Sequence, residues 1–301
     1  MARRRYCAAR ERVEDAARVQ LLVAHSVYPD EMSAAAHARM LWDPPGFPIV
    51  RVIVAMGRSG STALLRAFAN HPDAYAMYQP IRFGKLHEGV HEEDYRLYDH
   101  HPVFEGRPDK VFVAKEVTPW LSRGRPVVVF RTADDMRRAR PVFLVRDPLR
   151  TWRSLAKLIG DNAEKMFDHF ISTYREISAD RERCHAADPS APLVLTFERL
   201  LETPEHVLAR LCEHWGLRAA PDTLRWNRPL DHNMWLPPYI EKYIDEDPRW
   251  WSSVRSSATI DPHAVAADEP PLAASQQDRL AAELGPVYRL LAEQCARDFA
   301  R

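Results

Sequence analysis

The sequence predicts an α/β fold in which a parallel β-sheet is flanked by helices. Short apolar runs rich in β-branched residues recur along the chain, as is typical of strands that are buried on both faces. Segments with apolar residues at helical spacing separate these runs, and this alternation favours parallel strands joined by helical crossovers. The predicted strands lie at residues 52–56, within 111–116, at 141–145 and from 193 onward.

The length and charge of the chain favour a single catalytic domain. The chain has 301 residues, which suits one α/β enzyme domain with an added subregion. We expect a helical N-terminal extension at residues 1–45 and the catalytic domain at 46–301. Lysine plus arginine and aspartate plus glutamate both number 42. A chain without net charge is not expected to bind nucleic acid over its whole surface.

The cysteines and the hydropathy pattern bear on location. The four cysteines are far apart, form no metal-ligand spacing and are expected to be free thiols in a reducing compartment. No apolar core follows the basic start of the chain, and no run of about eighteen apolar residues exists. The sequence therefore predicts a cytoplasmic protein without a membrane partner. The cysteines are Cys7, Cys184, Cys212 and Cys295.

A glycine-bearing turn follows the first predicted strand and opens a helix. Glycines allow the backbone to turn sharply and to approach a ligand closely, and the free N–H groups at a helix start favour an anion. An arginine and hydroxyl side chains add further donors. The turn predicts a site for a phosphate-like group; the alternative is a corner whose glycines serve packing alone. Its residues are Gly57, Arg58, Ser59, Gly60, Ser61 and Thr62.

A second segment carries a cation at a strand end. Arg146 follows the run at 141–145, at the position where ligands gather in open parallel sheets. Asp147 and Pro148 are suited to cap and begin the next helix. Ser154 lies about two helical turns further on, so it and Arg146 can reach one anion only if the loop folds back. The alternative is a capped helix with a surface arginine.

These segments resemble those of sulfotransferases that use 3′-phosphoadenosine 5′-phosphosulfate (PAPS). Residues 57–62 resemble the 5′-phosphosulfate loop of that family, and residues 145–148 with Ser154 resemble its 3′-phosphate segment. Residues 193–217 are similar to the strand, acidic turn and helix that follow in the family. The resemblance spans residues 52–217 and implies a P-loop NTPase-like sulfotransferase fold.

The resemblance also implies how the donor is bound. Arg58 and the loop amides would stabilise the leaving 5′-phosphate, with Ser61 and Thr62 holding its oxygens, and no metal is expected. Arg146 and Ser154 would bind the 3′-phosphate. Phe197 stands where many members place a tyrosine against the adenine. The nearest candidate for the family's late basic loop is Arg255, although the usual Arg-Lys-Gly pattern is absent.

A general base is required because the acceptor loses a proton as it attacks. Residues 116–119 resemble the Glu-Lys-Thr-Pro segment of the heparan-type branch, whose glutamate is the base. We therefore assign Glu116 as the base, with Lys115 beside it in the catalytic site. The alternative is a strand-end charge paired with Lys115. His100 and His101 are weaker candidates, since the cytosolic aryl and steroid branch uses histidine.

Two further segments bear on the acceptor. Residues 226–262 are rich in aromatic residues and interrupted by prolines, which favours either a lid over the site or a loop anchored by tryptophans. Gln79 stands where relatives often have a glutamate, so Glu116 would have to act alone. The end of the chain, from Ser275 to Phe299, predicts an amphipathic helix interrupted at Gly285.

The leading functional hypothesis is in-line transfer of a sulfuryl group from PAPS to a hydroxyl or amine of a small, specialised metabolite. A second hypothesis is a non-catalytic regulatory or scaffold protein that binds PAPS or its product. A third is a P-loop kinase, which the missing loop lysine and the lack of an acidic strand-end magnesium site disfavour. Self-association of the chain is left open.

Overall fold

A computed structural model describes residues 50–80, 110–117, 129–130, 133–226, 233–236, 259–260 and 272–300. The predicted extension at 1–45, His100, His101 and Arg255 lie outside these residues. The strands are β1 Val50–Ala55, β2 Ala74–Tyr78, β3 Val111–Val117, β4 Val142–Val145, β5 Leu193–Thr196 and β6 Met234–Trp235. The α-helices are α1 Ser61–Ala69, α2 Ala133–Ala139, α3 Pro148–Ile159, α4 Ala163–Ala187, α5 Phe197–Glu202, α6 Pro204–Trp215, α7 Ala274–Glu283 and α8 Gly285–Asp298.

The six strands form one parallel sheet in the order β5-β4-β1-β3-β2-β6, which confirms the predicted α/β class. Strand β1 is central, and its Val54 lies between Glu116 of β3 and Phe143 of β4. The chain first extends the sheet on the β3 side of β1 and then returns to the β4 side. Ligands of open parallel sheets bind at such a reversal, outside the carboxyl ends of the strands. The reversal here lies between β1 and β4.

Helices are held on this sheet by buried aromatic side chains. The ring of Trp152 on α3 lies 5.0 Å from the rings of Phe167 and Phe170 on α4. The ring of Trp215 at the end of α6 lies 4.8 Å from that of Phe68 on α1. Aromatic pairs at these separations add to the free energy of burying their area. The helices that begin next to the sheet reversal, α1 and α3, are therefore both anchored from behind.

Local signals set several helix ends as the sequence predicts. The Asp147 carboxylate accepts a hydrogen bond from the N–H of Arg150 at 2.9 Å, and Pro148 is the first residue of α3. The predicted closing helix is present as α7 and α8, which are separated at Gly285. None of the helices in the described part of the chain is long and apolar enough to cross a membrane.

Helix α8 covers the open edge of the sheet at β5. The side chain of Asp298 accepts a hydrogen bond from the N–H of Val194 at 2.8 Å, and the Cys295 sulfur accepts one from the N–H of Thr196 at 3.3 Å. On the side of β5 that faces β4, the N–H of Leu193 donates a hydrogen bond to the carbonyl oxygen of Pro141, the residue before β4. The outward N–H groups of an edge strand otherwise invite pairing with another chain. Two side chains of α8 occupy those donors instead.

The described cysteines are buried free thiols, as predicted. Burial raises the pKa of the Cys184 thiol to about 12 and that of Cys212 to about 11. The thiol of Cys295 also has a raised pKa because of burial. A thiol with a raised pKa holds little reactive thiolate at neutral pH, so these residues act as packing groups.

His214 on α6 is buried among cations. The guanidinium of Arg140 donates a hydrogen bond to the His214 carbonyl oxygen at 2.7 Å. Burial, followed by the positive charges of Arg140 and Arg210, lowers the pKa of the His214 imidazole to about 4. In the unfolded chain the imidazole takes up its proton near pH 6.5. Between about pH 4 and 6.5 the unfolded chain therefore binds more protons, and stability rises with pH in that window.

We predict that lowering the pH from 8 to 5 costs the wild type about 2 kcal/mol of unfolding free energy through His214 alone. The variant His214→Gln has no imidazole to protonate and should lack this part of the pH dependence. Urea unfolding of both proteins across that pH range measures the difference. Parallel curves for the two proteins would show that His214 is not held neutral in the folded state.

Candidate functional site

The turn between β1 and α1 presents free backbone donors at the sheet reversal. Within the turn, the N–H and the hydroxyl of Ser59 both bond to the carbonyl of Met56, at 3.3 and 2.7 Å. The first helical hydrogen bond runs from Leu64 to Gly60. The N–H groups of residues 61–63 therefore have no acceptor within the helix. Together with the positive end of the helix dipole, these N–H groups are available to an anion.

Gly60 is required in this turn for two reasons. Its φ of +83° lies in the left-handed region, which side-chain-bearing residues rarely adopt. A Cβ atom at this position would also lie 2.2 Å from a ring carbon of Phe197. Phe197 is the first residue of α5, directly after β5. The turn after β1 and the segment after β5 are thus in direct contact through this ring.

Arg58 links the turn to α3. It has a φ of +70°, a strained conformation for a residue with a side chain. Its Nε donates a hydrogen bond to the Ser154 hydroxyl at 3.2 Å. A guanidinium nitrogen of Arg146 donates to the Arg58 carbonyl at 3.3 Å. The structure therefore brings Arg58, Arg146 and Ser154 into one cluster, with Ser154 against Arg58.

The two arginines of this cluster hold positive charge at a partly buried place. The pKa of the Arg58 guanidinium is lowered, first by burial and then by the positive charge of Arg146, while Tyr78 acts in the opposite direction. The Arg146 guanidinium lies 5.3 Å from the centre of the Phe197 ring, at cation–π distance. Cations held together in this way favour an anion between them, because it offsets both desolvation and mutual repulsion.

Lys115 approaches the same turn from β3. Its side chain is 1% exposed, and its Nζ donates a hydrogen bond to the Thr62 hydroxyl at 2.8 Å. The same nitrogen lies 3.7 Å from the centre of the Tyr78 ring. The N–H of Gln79 bonds to the Lys115 carbonyl at 2.7 Å, which joins the ends of β2 and β3. Lys115 and Tyr78 therefore line the side of the turn opposite α3.

Glu116 is buried near the carboxyl end of β3, with 1% of its surface exposed. It lies in the regular part of the strand, where Val54 is its partner in β1. Successive side chains of a strand point to opposite faces, so Glu116 does not share the face of Lys115. Glu116 therefore lies near the carboxyl end of β3, on the face opposite to Lys115.

Three residues without an assigned role support the cluster from behind. The carboxylate of Glu198 accepts hydrogen bonds from the N–H of Asp147 at 3.1 Å and from the hydroxyl of Tyr288 at 2.9 Å. The hydroxyl of Tyr174 donates to the Arg146 carbonyl at 2.9 Å. Glu198 lies in the acidic turn noted in the sequence. The two tyrosines lie on the distant helices α4 and α8, and no local pattern marks them.

Most of the predicted acceptor segment, residues 226–262, lies outside the described residues. At its start, Trp226 is buried, and the Arg66 guanidinium of α1 lies 5.0 Å from the centre of its ring. This contact holds the first residue of the segment against α1. Within the described residues, no three histidine, cysteine, aspartate or glutamate side chains form a cluster suited to a metal ion.

Comparison with known proteins relates part of this chain to one family. The fold and the anion-binding turn define a P-loop-like α/β protein. Residues 136–222, which contain Arg146, Ser154 and Phe197, match the model of a family described as the sulfotransferase family. This match confirms the predicted resemblance to sulfotransferases. No curated protein matches the chain in a sequence search.

Solved sulfotransferase structures are similar to this chain at low identity. The sulfotransferase domain of the Synechococcus PCC 7002 olefin synthase is 16% identical, with a TM-score of 0.49 over 79% of this chain and 95% of that one. The sulfotransferase domain from the curacin biosynthetic pathway is 15% identical, with a TM-score of 0.44 over 79% and 97%. Mouse sulfotransferase SULT7A1, complexed with PAP, is 14% identical, with a TM-score of 0.47 over 85% and 91%.

We predict that Gly60→Ala destabilises the protein more than Gly216→Ala does. Both glycines have positive φ, but a Cβ atom at Gly216 has no atom within 4 Å. Gly216→Ala should cost about 1 kcal/mol from backbone strain. Gly60→Ala should cost about 1 to 3 kcal/mol more, because the Phe197 ring must move. Chemical unfolding measures the loss of unfolding free energy in each variant. Equal losses would show that the Phe197 ring moves aside at no measurable cost.

Proposed function

We propose that the protein transfers a sulfuryl group from PAPS to a hydroxyl or amine of a small, specialised metabolite. The observation that carries this proposal is the pair of arginines, Arg58 and Arg146, held together beside a helix start at the sheet reversal. PAPS carries anionic groups at both its 5′ and 3′ positions. A cradle with two cations from two separate segments suits such a donor.

In this proposal the turn at 57–62 holds the 5′-phosphosulfate. The amides of its helix start and the Arg58 guanidinium bind the oxygens, with the hydroxyls of Ser61 and Thr62 beside them. Arg146 and Ser154 bind the 3′-phosphate. Ser154 accepts a hydrogen bond from Arg58, which supports its assignment to the same donor site. We assign the Phe197 ring, which packs beside Gly60 and Arg146, to the adenine of the donor.

The reaction proposed for this site is an in-line displacement at sulfur. The acceptor oxygen or nitrogen attacks the sulfur while the bond from sulfur to the 5′-phosphate oxygen breaks, and 3′-phosphoadenosine 5′-phosphate (PAP) leaves. Arg58 keeps its proton despite its lowered pKa and therefore acts by stabilising charge. Lys115 orients the Thr62 hydroxyl and adds positive charge near the leaving phosphate.

We propose that Glu116 is the general base, which takes up the proton that the acceptor loses as it attacks. The described residues around the carboxyl ends of β1, β2 and β3 are 55–62, 78–80 and 115–117. Among these residues, Glu116 is the only one with a carboxylate side chain. Its position near the carboxyl end of β3, at the same end of the sheet as the turn, supports this assignment. Since Glu116 and Lys115 lie on opposite faces of β3, the acceptor must approach across the end of that strand.

We predict that the wild type binds PAP at least about tenfold more tightly than adenosine 5′-monophosphate (AMP), because a charge-assisted contact to the 3′-phosphate is worth at least that much. Isothermal titration calorimetry with PAP, AMP and ATP measures this ratio. In Arg146→Ala the preference for PAP should be lost. The control Arg183→Ala removes an exposed arginine near the end of α4 and should leave the ratio unchanged. A preference for ATP, or no binding, would contradict the proposal.

We predict that Glu116→Gln lowers kcat by about 10²- to 10⁴-fold, because the acceptor loses its base. PAP affinity should be retained, since the substitution keeps the size of the side chain and the proposal gives Glu116 no role in binding the donor. The measurement is transfer of labelled sulfate from PAPS to a panel of small hydroxyl and amine acceptors. Unchanged kcat would place the base elsewhere. Tight PAP binding without transfer to any acceptor would favour the regulatory or scaffold hypothesis.

A further inference from the structure

We propose that Tyr288 on helix α8 is a positioning residue of the donor site, which acts through Glu198 to fix the orientation of Arg146. The inference rests on the proposed function, in which Arg146 binds the 3′-phosphate. It makes the last helix of the described chain part of the donor-binding apparatus. No contact between Tyr288 and the donor is required.

The peptide unit between Arg146 and Asp147 is held on both sides. Its carbonyl oxygen accepts a hydrogen bond from the Tyr174 hydroxyl at 2.9 Å. Its N–H donates a hydrogen bond to the Glu198 carboxylate at 3.1 Å. A peptide unit is planar, so a rotation of this unit would break both bonds at once. Holding this unit fixes ψ of Arg146 and φ of Asp147, and therefore the path of the chain from Arg146 into the start of α3.

Tyr288 fixes the second oxygen of the Glu198 carboxylate. Its hydroxyl donates to that oxygen at 2.9 Å, which is a charge-assisted hydrogen bond. Burial and the negative charge of Glu198 raise the pKa of the Tyr288 hydroxyl, so the donor proton is retained. Without this bond, Glu198 would have one fewer contact to select its rotamer. The Asp147 N–H would then lose a fixed acceptor.

Helix α8 is itself fixed, which gives Tyr288 a rigid base. Leu291 and Cys295 of this helix are buried, and Asp298 and Cys295 bond to the edge of β5. Glu198 lies two residues beyond the end of that strand. The same helix therefore holds both β5 and the carboxylate that follows it. A side chain that served only to attach α8 would affect stability and would not distinguish one nucleotide from another.

The test compares PAP and AMP affinities by calorimetry. We expect Tyr288→Phe to weaken PAP binding by about three- to tenfold, the effect of one hydrogen bond, and to change AMP binding by less than about twofold. In the Arg146→Ala background, adding Tyr288→Phe should change PAP affinity by less than about twofold, because Tyr288 acts through Arg146. Glu198→Gln keeps an acceptor for the Asp147 N–H and should retain more PAP affinity than Glu198→Ala.

The matched control is Ser190→Ala. It removes a bond of the same kind, from the Ser190 hydroxyl to the Asp188 carboxylate at 2.7 Å. This bond lies before the amino-terminal end of β5, whereas Glu198 follows the carboxyl end of that strand. Both affinities should be unchanged. If Tyr288→Phe fails to fold, Tyr174→Phe tests the other side of the same peptide unit with the same expected ratio.

The outcomes separate this inference from the proposed function. A wild type without a preference for PAP would overturn the proposed function and the inference with it. A wild type that prefers PAP, with Tyr288→Phe unchanged, would overturn the inference alone. Equal loss of PAP and AMP affinity in Tyr288→Phe would show a structural role and would also overturn it.

Discussion

The Phe197 ring lies so close to Gly60 that no side chain fits between them. This contact joins the turn after β1 to the segment after β5, and Arg146, after β4, lies over the same ring. The ends of three strands are therefore held in one arrangement by a single aromatic side chain. Because interiors are densely packed, a displacement at any of the three positions must be transmitted to the others. The anion cradle depends on this contact for its shape.

The residues around Arg58 carry unfavourable features when they are considered in isolation. Arg58 adopts a left-handed backbone conformation, and its guanidinium is partly desolvated next to a second positive charge. Each feature raises the free energy of the folded chain, and the buried aromatic pairs behind α1 and α3 offset it. An anion would relieve the electrostatic part. The chain thus holds in advance an arrangement that a negatively charged ligand completes.

Much of this could be predicted from the sequence because it is local. The strand at 52–56, the turn after it and the Asp147 cap each follow from residues that are adjacent in the chain. The bond between Arg58 and Ser154 joins residues 96 positions apart, and that between Glu198 and Tyr288 joins residues 90 apart. Such pairings depend on strand order and helix placement, which periodicity does not specify. For the same reason, the sequence predicted that Ser154 and Arg146 share one anion but did not reveal the hydrogen bond between Ser154 and Arg58.

The same reasoning explains why α8 matters to a site from which it is distant in sequence. Its side chains bond to the outward N–H groups of β5 and, about two turns earlier in the helix, to the carboxylate that holds the peptide after β4. Closure of the sheet edge and orientation of Arg146 are therefore coupled through one helix. By linkage, a ligand that requires the native orientation of Arg146 must also stabilise the docked position of α8. Protection of the edge and preorganisation of the site are then two consequences of one packing arrangement.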